Sequence, residues 1–362
     1  MEKYWLWLCT RKELYRPQIA CLLQYFQSPE NLFYAPDRQV LEMQGIPQRQ
    51  KEMLLADRKE WDYEKTMHEL EKKGIRFISF FQPEYPARLR ELSDYPFGIF
   101  VKGALPKPGG PAAAVIGARR CSAYGREKAG RIGRILAERG VQVVSGMALG
   151  VDGAAQNAAV CAGGKSFSVL GCGVDICYPR EHIGLYDRLC QSGGILSEYP
   201  PGMPPVSWHF PVRNRLISAL ADCVIVIEAK ERSGSLITAD LAAEQGKDVL
   251  AVPGRMEDPL SRGCNRLIAQ GAGILWEEEE IFRCLGLEGT TEGKSENKKL
   301  VLEKKENMVY SGVDFHDKSL DTICRQVSLP RAEVLETLVS LQLRGLIKET
   351  AKNYYVKVQN VP

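Results

Sequence analysis

Over the first seventy residues, large apolar side chains recur at spacings of three and four, through Leu22-Leu23, Tyr25-Phe26, Leu32-Phe33 and Leu41. That period predicts packed helices. From about residue 75 to 287 the pattern becomes short β-branched runs alternating with amphipathic stretches. The strand candidates are Ala113–Ile116, Val141–Val144, Phe167–Leu170, Gly194–Leu196, Val224–Ile227 and Val249–Val252. Several are apolar at every position, as strands covered on both faces are. Between the first two, Ala129, Ile132 and Leu136 form one stripe, while Arg126, Lys128, Arg131 and Arg134 project elsewhere. The alternation predicts a doubly wound, mostly parallel α/β sheet, whose ligands sit where strand ends run into helix amino termini.

Glu288–Lys299 then carries no large apolar residue in twelve positions, which predicts a solvated linker over 288–302. Beyond it, Ser319–Val327 reads as one short helix and Pro330 opens another with Val334, Leu335, Leu338 and Leu341 as its stripe. Leu346-Ile347 and Tyr354-Tyr355-Val356 flank the turn Ala351-Lys352-Asn353. Helices followed by a hairpin predict a winged helix over 303–362. The expected domains are therefore a helical unit at 1–70, the α/β core at 75–287, the linker, and the winged helix.

Composition narrows the class. A chain of 362 residues with 44% hydrophobic and 26% charged side chains is ordinary for a globular protein and excludes disorder throughout. No apolar run approaches the roughly 18–20 residues of a membrane span, and Met1–Leu8 lacks the features of a secretion signal. Eleven cysteines without a C-x-x-C pair read as reduced thiols of a cytoplasmic protein. The net charge of +3 says little until it is located: Gly117–Gly140 alone holds seven basic and two acidic residues.

Four strand-to-helix junctions have unusual composition: Gly117–Gly125, Ser145–Gly153, Phe210–Arg215 ahead of a helix starting near Leu216, and Ser233–Thr238. Glycines allow close backbone approach, helix amino termini offer unpaired N–H groups, and arginines add charge. Any one such loop is as well explained by tight turns and solvated arginines; four at one sheet edge favour a phosphate-binding rim. Nucleotide motifs fail. Gly117-Ala118-Arg119 lacks the second glycine of a dinucleotide fingerprint and Gly171-Cys172-Gly173 the third. Gly164-Lys165-Ser166 has Ala159 where a P-loop needs glycine. Cys172, Cys177 and His182 match no zinc spacing, and Ser207, Ser218 and Ser235 sit in no nucleophile elbow. Neither metal nor cofactor is expected.

The blocks GARRCSAYG (117–125), SGMALGVDGAAQNAA (145–159), VLGCGVDICYPREH (169–182), SEYPPG (197–202), FPVRNRLIS (210–218), ERSGSLITADLAAEQGKDVLAVPG (231–254) and GCNRLIAQGA (263–272) resemble, in order, those of the DprA/Smf family of DNA-processing proteins. YFQSPENLFYA (25–35) and the carboxyl-terminal unit are similar to flanking domains of many members, the former of SAM or helix-hairpin-helix type. The resemblance implies a Rossmann-like core that dimerises, binds single-stranded DNA without being an enzyme, and helps load the RecA recombinase during natural transformation. It places the base-contacting arginine at Arg119. It assigns Phe210, Pro211, Arg213, Asn214 and Arg215 to one block and Ser233, Gly234 and Ser235 to another. With Gly117, Arg120, Ser122, Ser145, Gly146 and Gly171 from the other loops, these residues, Pro211 excepted, are the fourteen candidate DNA contacts.

The chain departs from the family pattern at Leu149, Val151, Gln156 and Ser207, which reduces charge near the site. In Leu41–Pro47, Pro47 stands where a helix-hairpin-helix needs an N–H, which makes that turn structural. The runner-up reading is a Rossmann-like nucleotide phosphoribohydrolase, but Ser233–Asp240 lacks its glycine run and terminal glutamate. A winged-helix DNA-binding regulator is the third; nine basic against eight acidic side chains over 303–362 give that unit a weak field. Protein contact or a spacer role suits the unit as well as duplex binding.

Overall fold

The computed structural model describes residues 2–287, 304–314, 317–327 and 329–358. The chain divides into two compact units, residues 1–289 and 290–362. The linker expected over 288–302 lies outside the described residues.

The first unit opens with six helices, α1 Glu2–Cys9, α2 Arg16–Phe26, α3 Pro29–Tyr34, α4 Asp37–Glu42, α5 Gln48–Glu60 and α6 Tyr63–Lys72. Then follow β1 Ile75–Ser79, α7 Ala87–Arg90, β2 Gly98–Gly103, β3 Ala112–Ile116, α8 Ala123–Glu138, β4 Gln142–Ser145, α9 Val151–Cys161 and β5 Ser166–Val169. The unit continues through α10 Ile183–Ser192, β6 Gly194–Ser197, α11 His209–Ala219, β7 Cys223–Val226, α12 Gly234–Glu244, β8 Asp248–Ala251, α13 Arg262–Ala269, β9 Gly273–Ile274 and α14 Glu279–Cys284.

Nine strands form one sheet in the order β1-β2-β6-β5-β4-β3-β7-β8-β9. From β6 to β9 the strands are parallel, and β2 pairs antiparallel with both β1 and β6. Successive strands run outward from β3 through β4 and β5 to β6, then return to the other side of β3 as β7. Such a reversal leaves a crevice above the strand carboxyl ends. Alternation along β3 decides which helices pack where. Ala112, Ala114 and Ile116 join the core under α11, α12 and α13, with Leu216, Leu236, Ala239 and Leu267. Ala113 and Val115 join the core under α8, α9 and α14, with Ile132, Leu136, Ala155 and Phe282. The doubly wound, Rossmann-like fold is thus present.

Trp7, Leu22, Leu32, Val40 and Leu54 of the amino-terminal helices are part of a core of their own. Trp5, Leu6 and Cys9 of α1 and Leu70 of α6 instead share a cluster with Ile75 and Phe77 of β1, Phe100 of β2 and Leu189 of α10. The antiparallel pair β1/β2, missed in the sequence, supplies the surface on which these residues sit. One expectation needs correction: the third loop is not a loop, because α11 begins at His209 and Phe210–Arg215 lie within its first turns. In the α4–α5 turn, buried Lys51 donates from Nζ to the carbonyls of Leu41 (2.5 Å) and Met43 (2.9 Å), which closes the turn from inside.

Helices α8 and α9 meet so closely that a Cβ at Gly133 would lie 2.1 Å from the Ala155 carbonyl oxygen. Gly133→Ala should therefore lose roughly 1–3 kcal/mol despite alanine's higher helix propensity. Gly130, one turn away, has only Ala158 Cβ near, at 3.9 Å. Gly130→Ala should be neutral or stabilising by up to about 1 kcal/mol. Denaturant midpoints of the pair check both signs.

The second unit contains α15 Lys304–Gly312, β10 Lys318–Ser319, α16 Leu320–Val327, α17 Arg331–Leu343, β11 Ile347–Ala351 and β12 Tyr354–Lys357. Its strands form an antiparallel sheet in the order β10-β12-β11. Val309, Leu320, Ile323, Val334, Leu338, Leu341 and Tyr355 are among its core residues.

Candidate nucleic-acid interface

The crevice above β3 and β7 holds a cavity of 390 Å³. Nine of the fourteen expected residues line it: Gly117, Arg119, Arg120, Phe210, Arg213, Asn214, Ser233, Gly234 and Ser235. Helical period explains which part of the Phe210 block arrives. Phe210, Arg213, Asn214 and Ile217 are spaced at three, four and seven, one face of α11, and all four line the cavity. Arg215 is two residues from Arg213, about 200° round the helix. Its guanidinium pairs instead with Asp94 and Glu198, at 2.7 Å each.

Arg119 is exposed, with its guanidinium carbon 5.4 Å from the Phe210 ring centroid; that of Arg213 is at 5.8 Å. Tyr178, also exposed, stacks on Phe210 at 5.5 Å and 29°. Arg120, Lys230 and Arg232 are exposed cations on the same lining. Among the described residues, no hydrogen bond or ion pair occupies these three or Arg119. Lys230 and Arg232 were missed in the sequence. Their signal was available, since both lie within six residues of the end of β7, at the edge where the glycine loops converge.

Arg213 is different. It is buried, and donates from Nη1 to the carbonyls of Gly146 (3.2 Å) and Val169. Burial pushes its guanidinium down to about 10, with the nearby Asp152 carboxylate acting in the opposite sense. Burial likewise raises the Asp152 carboxyl above its ordinary range, opposed by Arg213 and by hydrogen bonds including that from the Gly146 N–H, 3.1 Å away.

The other four expected residues do not reach the cavity, because their polar groups serve the fold. Ser145 Oγ donates to the Val115 carbonyl (2.7 Å), Gly146 is held between Asp152 and Arg213, and the Gly171 carbonyl lies 3.0 Å from His209 Nδ1. Ser122 caps α8 and is itself capped by Glu228: its N–H donates to Oε2 (2.8 Å) and its Oγ to Oε1 (2.5 Å). A Cβ at Gly125 would lie 2.3 Å from that carboxylate, so only glycine admits it. The amino terminus of α8, the expected phosphate seat, is thus filled from within by a buried carboxylate 106 residues away in sequence. Asp152 plays the same part in the β4–α9 loop.

The amino terminus of α12, also on the rim, has no carboxylate bonded to it among the described residues. Ser233 caps it, with Oγ accepting from Ser235 N–H (3.4 Å) and lying 2.7 Å from Ser235 Oγ, while Gly234 is exposed. Asn214 Nδ2 donates to the Gly234 carbonyl (3.3 Å), tying α11 to this turn. The exposed Gly234 at the positive end of a helix, beside unpaired cations, suits an anionic chain.

The sequence model of DNA recombination-mediator protein A matches residues 76–286, more than half of the chain. The chain belongs to this family. Relatives support the assignment along the whole length: Protein Smf of Escherichia coli is 34% identical over 360 residues, covering 97% of this chain and 94% of that one. The DNA processing protein DprA of Bacillus subtilis is 40% identical over 212 residues, 58% of this chain and 71% of that one. Among solved structures, DprA from Streptococcus pneumoniae superposes with a TM-score of 0.64 at 33% identity, covering 78% of this chain and 97% of that one. A Helicobacter pylori DprA structure, described for its single-stranded DNA binding mode, gives 0.52 at 30% identity, covering 59% and 97%. The family's shared segment is the α/β core, where the crevice lies. Among the described residues no helix is long and apolar enough to cross a membrane.

Proposed function

We propose that this family member binds single-stranded DNA across the crevice, as a cytoplasmic, non-enzymatic protein that protects incoming strands and helps load RecA during natural transformation. The carrying observation is the array of unpaired Arg119, Arg120, Lys230 and Arg232 around Phe210, beside the α12 amino terminus. Cations and helix N–H groups hold a backbone without reading sequence, and the Arg119–Phe210 pair offers planar surface to any base. A homodimer through the Rossmann-like core and duplex or protein contact by a carboxyl-terminal winged helix belong to the same reading, on the family resemblance. Titrating labelled single strands against duplex of equal length tests it. If about four to six phosphates are neutralised, the log–log salt slope is about −3 to −4; a flat salt response, or preference for one duplex sequence, removes the reading.

For the hydrolase alternative, the lining offers the carboxylate of Asp152, which accepts from the Gly146 N–H, while Glu228 is held by Ser122 away from the lining. No release of base or phosphate from nucleoside monophosphates is expected. Turnover abolished by Asp152→Asn or Glu228→Gln would reverse this.

A further inference from the structure

The crevice has two unlike sides. Lys230, Arg232, Ser233 and Gly234 follow β7, while the loops after β4 and β5, across β3 in the sheet, carry the exposed apolar side chains Leu149 and Tyr178. Arg180 and Glu181, beside Tyr178 in the chain, are exposed too and of opposite charge. Arg119, after β3, stands between the sides. Gly150 brings the Leu149 loop against it: a Cβ at Gly150 would lie 2.6 Å from the Arg119 carbonyl oxygen. A bound single strand is two-sided in the same sense, with phosphates that seek cations and bases that seek planar apolar surface.

Tyr178 offers such a surface. One face of its ring lies on Phe210, at 5.5 Å and 29°. The ring is nevertheless 40% exposed, and among the described residues neither a hydrogen bond nor a second aromatic ring engages it, which leaves the face turned away from Phe210 to solvent. The loop that carries it is pinned on both flanks. Tyr186 Oη donates to the Val174 carbonyl (2.6 Å), Lys73 pairs with Asp175 (2.8 Å), and His182 Nδ1 lies 3.0 Å from the Met147 carbonyl. A ring already held in place has little freedom left to lose on binding. We propose that Tyr178 is a second stacking platform for the strand: the base next to the one at Arg119 lies on the outer face of Tyr178 and extends the Phe210–Tyr178 stack by one ring. This rests on the single-strand reading of the crevice. If Tyr178 only shielded Phe210, an aliphatic side chain would serve as well.

The experiment uses the full chain with oligothymidylates of about 4 to 16 nucleotides, in parallel with a strand carrying 5-iododeoxyuridine for photocrosslinking to the parent. Tyr178→Phe and Tyr178→Leu are compared with Arg119→Ala, and thermal melts establish that each is folded. On the longer strands Tyr178→Leu should bind about tenfold more weakly, the worth of one stacked base, and Tyr178→Phe like the parent. The Tyr178→Leu loss should set in at a greater strand length than the Arg119→Ala loss, and the crosslinks should include Tyr178. Parental affinity in Tyr178→Leu while Arg119→Ala binds weakly overturns the platform and leaves the crevice standing. A Tyr178→Leu loss that is the same at every strand length, with no crosslink at Tyr178, makes the ring a shield for Phe210 and also overturns the platform. Parental affinity in both variants, with crosslinks at neither place, overturns the crevice as well.

Discussion

Arg119→Ala should bind single-stranded DNA about 1–3 kcal/mol more weakly than the parent, the range of a lost stacking contact, at an unchanged melting temperature. Stability is spared because Arg119 is exposed and its one described partner is the face of Phe210. Arg119→Lys should recover only part of the loss: the charge stays, but the planar fork that can lie against a base is gone. Fluorescence anisotropy with a labelled oligonucleotide reads the affinities, and a thermal melt provides the control. Parental affinity in a well-folded Arg119→Ala protein would remove Arg119 from the interface.

Arg213→Met should behave in the opposite way and cost about 3–5 kcal/mol of folding stability, seen as a drop in melting temperature on the order of 10 °C. The substitution strips the Gly146 and Val169 carbonyls of their donor and leaves Asp152 buried without its compensating charge. Adding Asp152→Asn should restore part of the loss, since no buried charge remains and the amide oxygen still accepts from Gly146. Weaker DNA binding follows only as the crevice deforms. Undiminished stability with abolished binding would show instead that Arg213 is a direct ligand.

These arginines look alike in sequence and do three different things. The parallel core was legible because its strands are apolar on both faces and its loops carry glycine and arginine at one edge. The four junction blocks led to nine of the cavity's residues. Arg215 was misplaced because the start of α11 was set near Leu216; moving it to His209 makes the block helical, and the period then sends Arg213 inward and Arg215 to Asp94 and Glu198. Strands β1 and β2 escaped notice because antiparallel pairing across Ile75–Ser79 and Gly98–Gly103 has no signature in either segment alone. Glu228 was invisible for a related reason. Its partner is 106 residues away, and nothing beside it in the chain announces that it will reach Ser122.

That carboxylate sets a competition with a fixed outcome. A mobile phosphate approaching α8 must displace a rival tethered to the neighbouring strand, whose effective concentration does not fall when solution is diluted or exchanged. Monomeric nucleotides therefore meet a berth already taken at the point where Rossmann-like proteins commonly receive them. A polymer engaging the crevice through several phosphates at once has no need of that berth, and avidity along the strand, not the grip on any single phosphate, discriminates between the two.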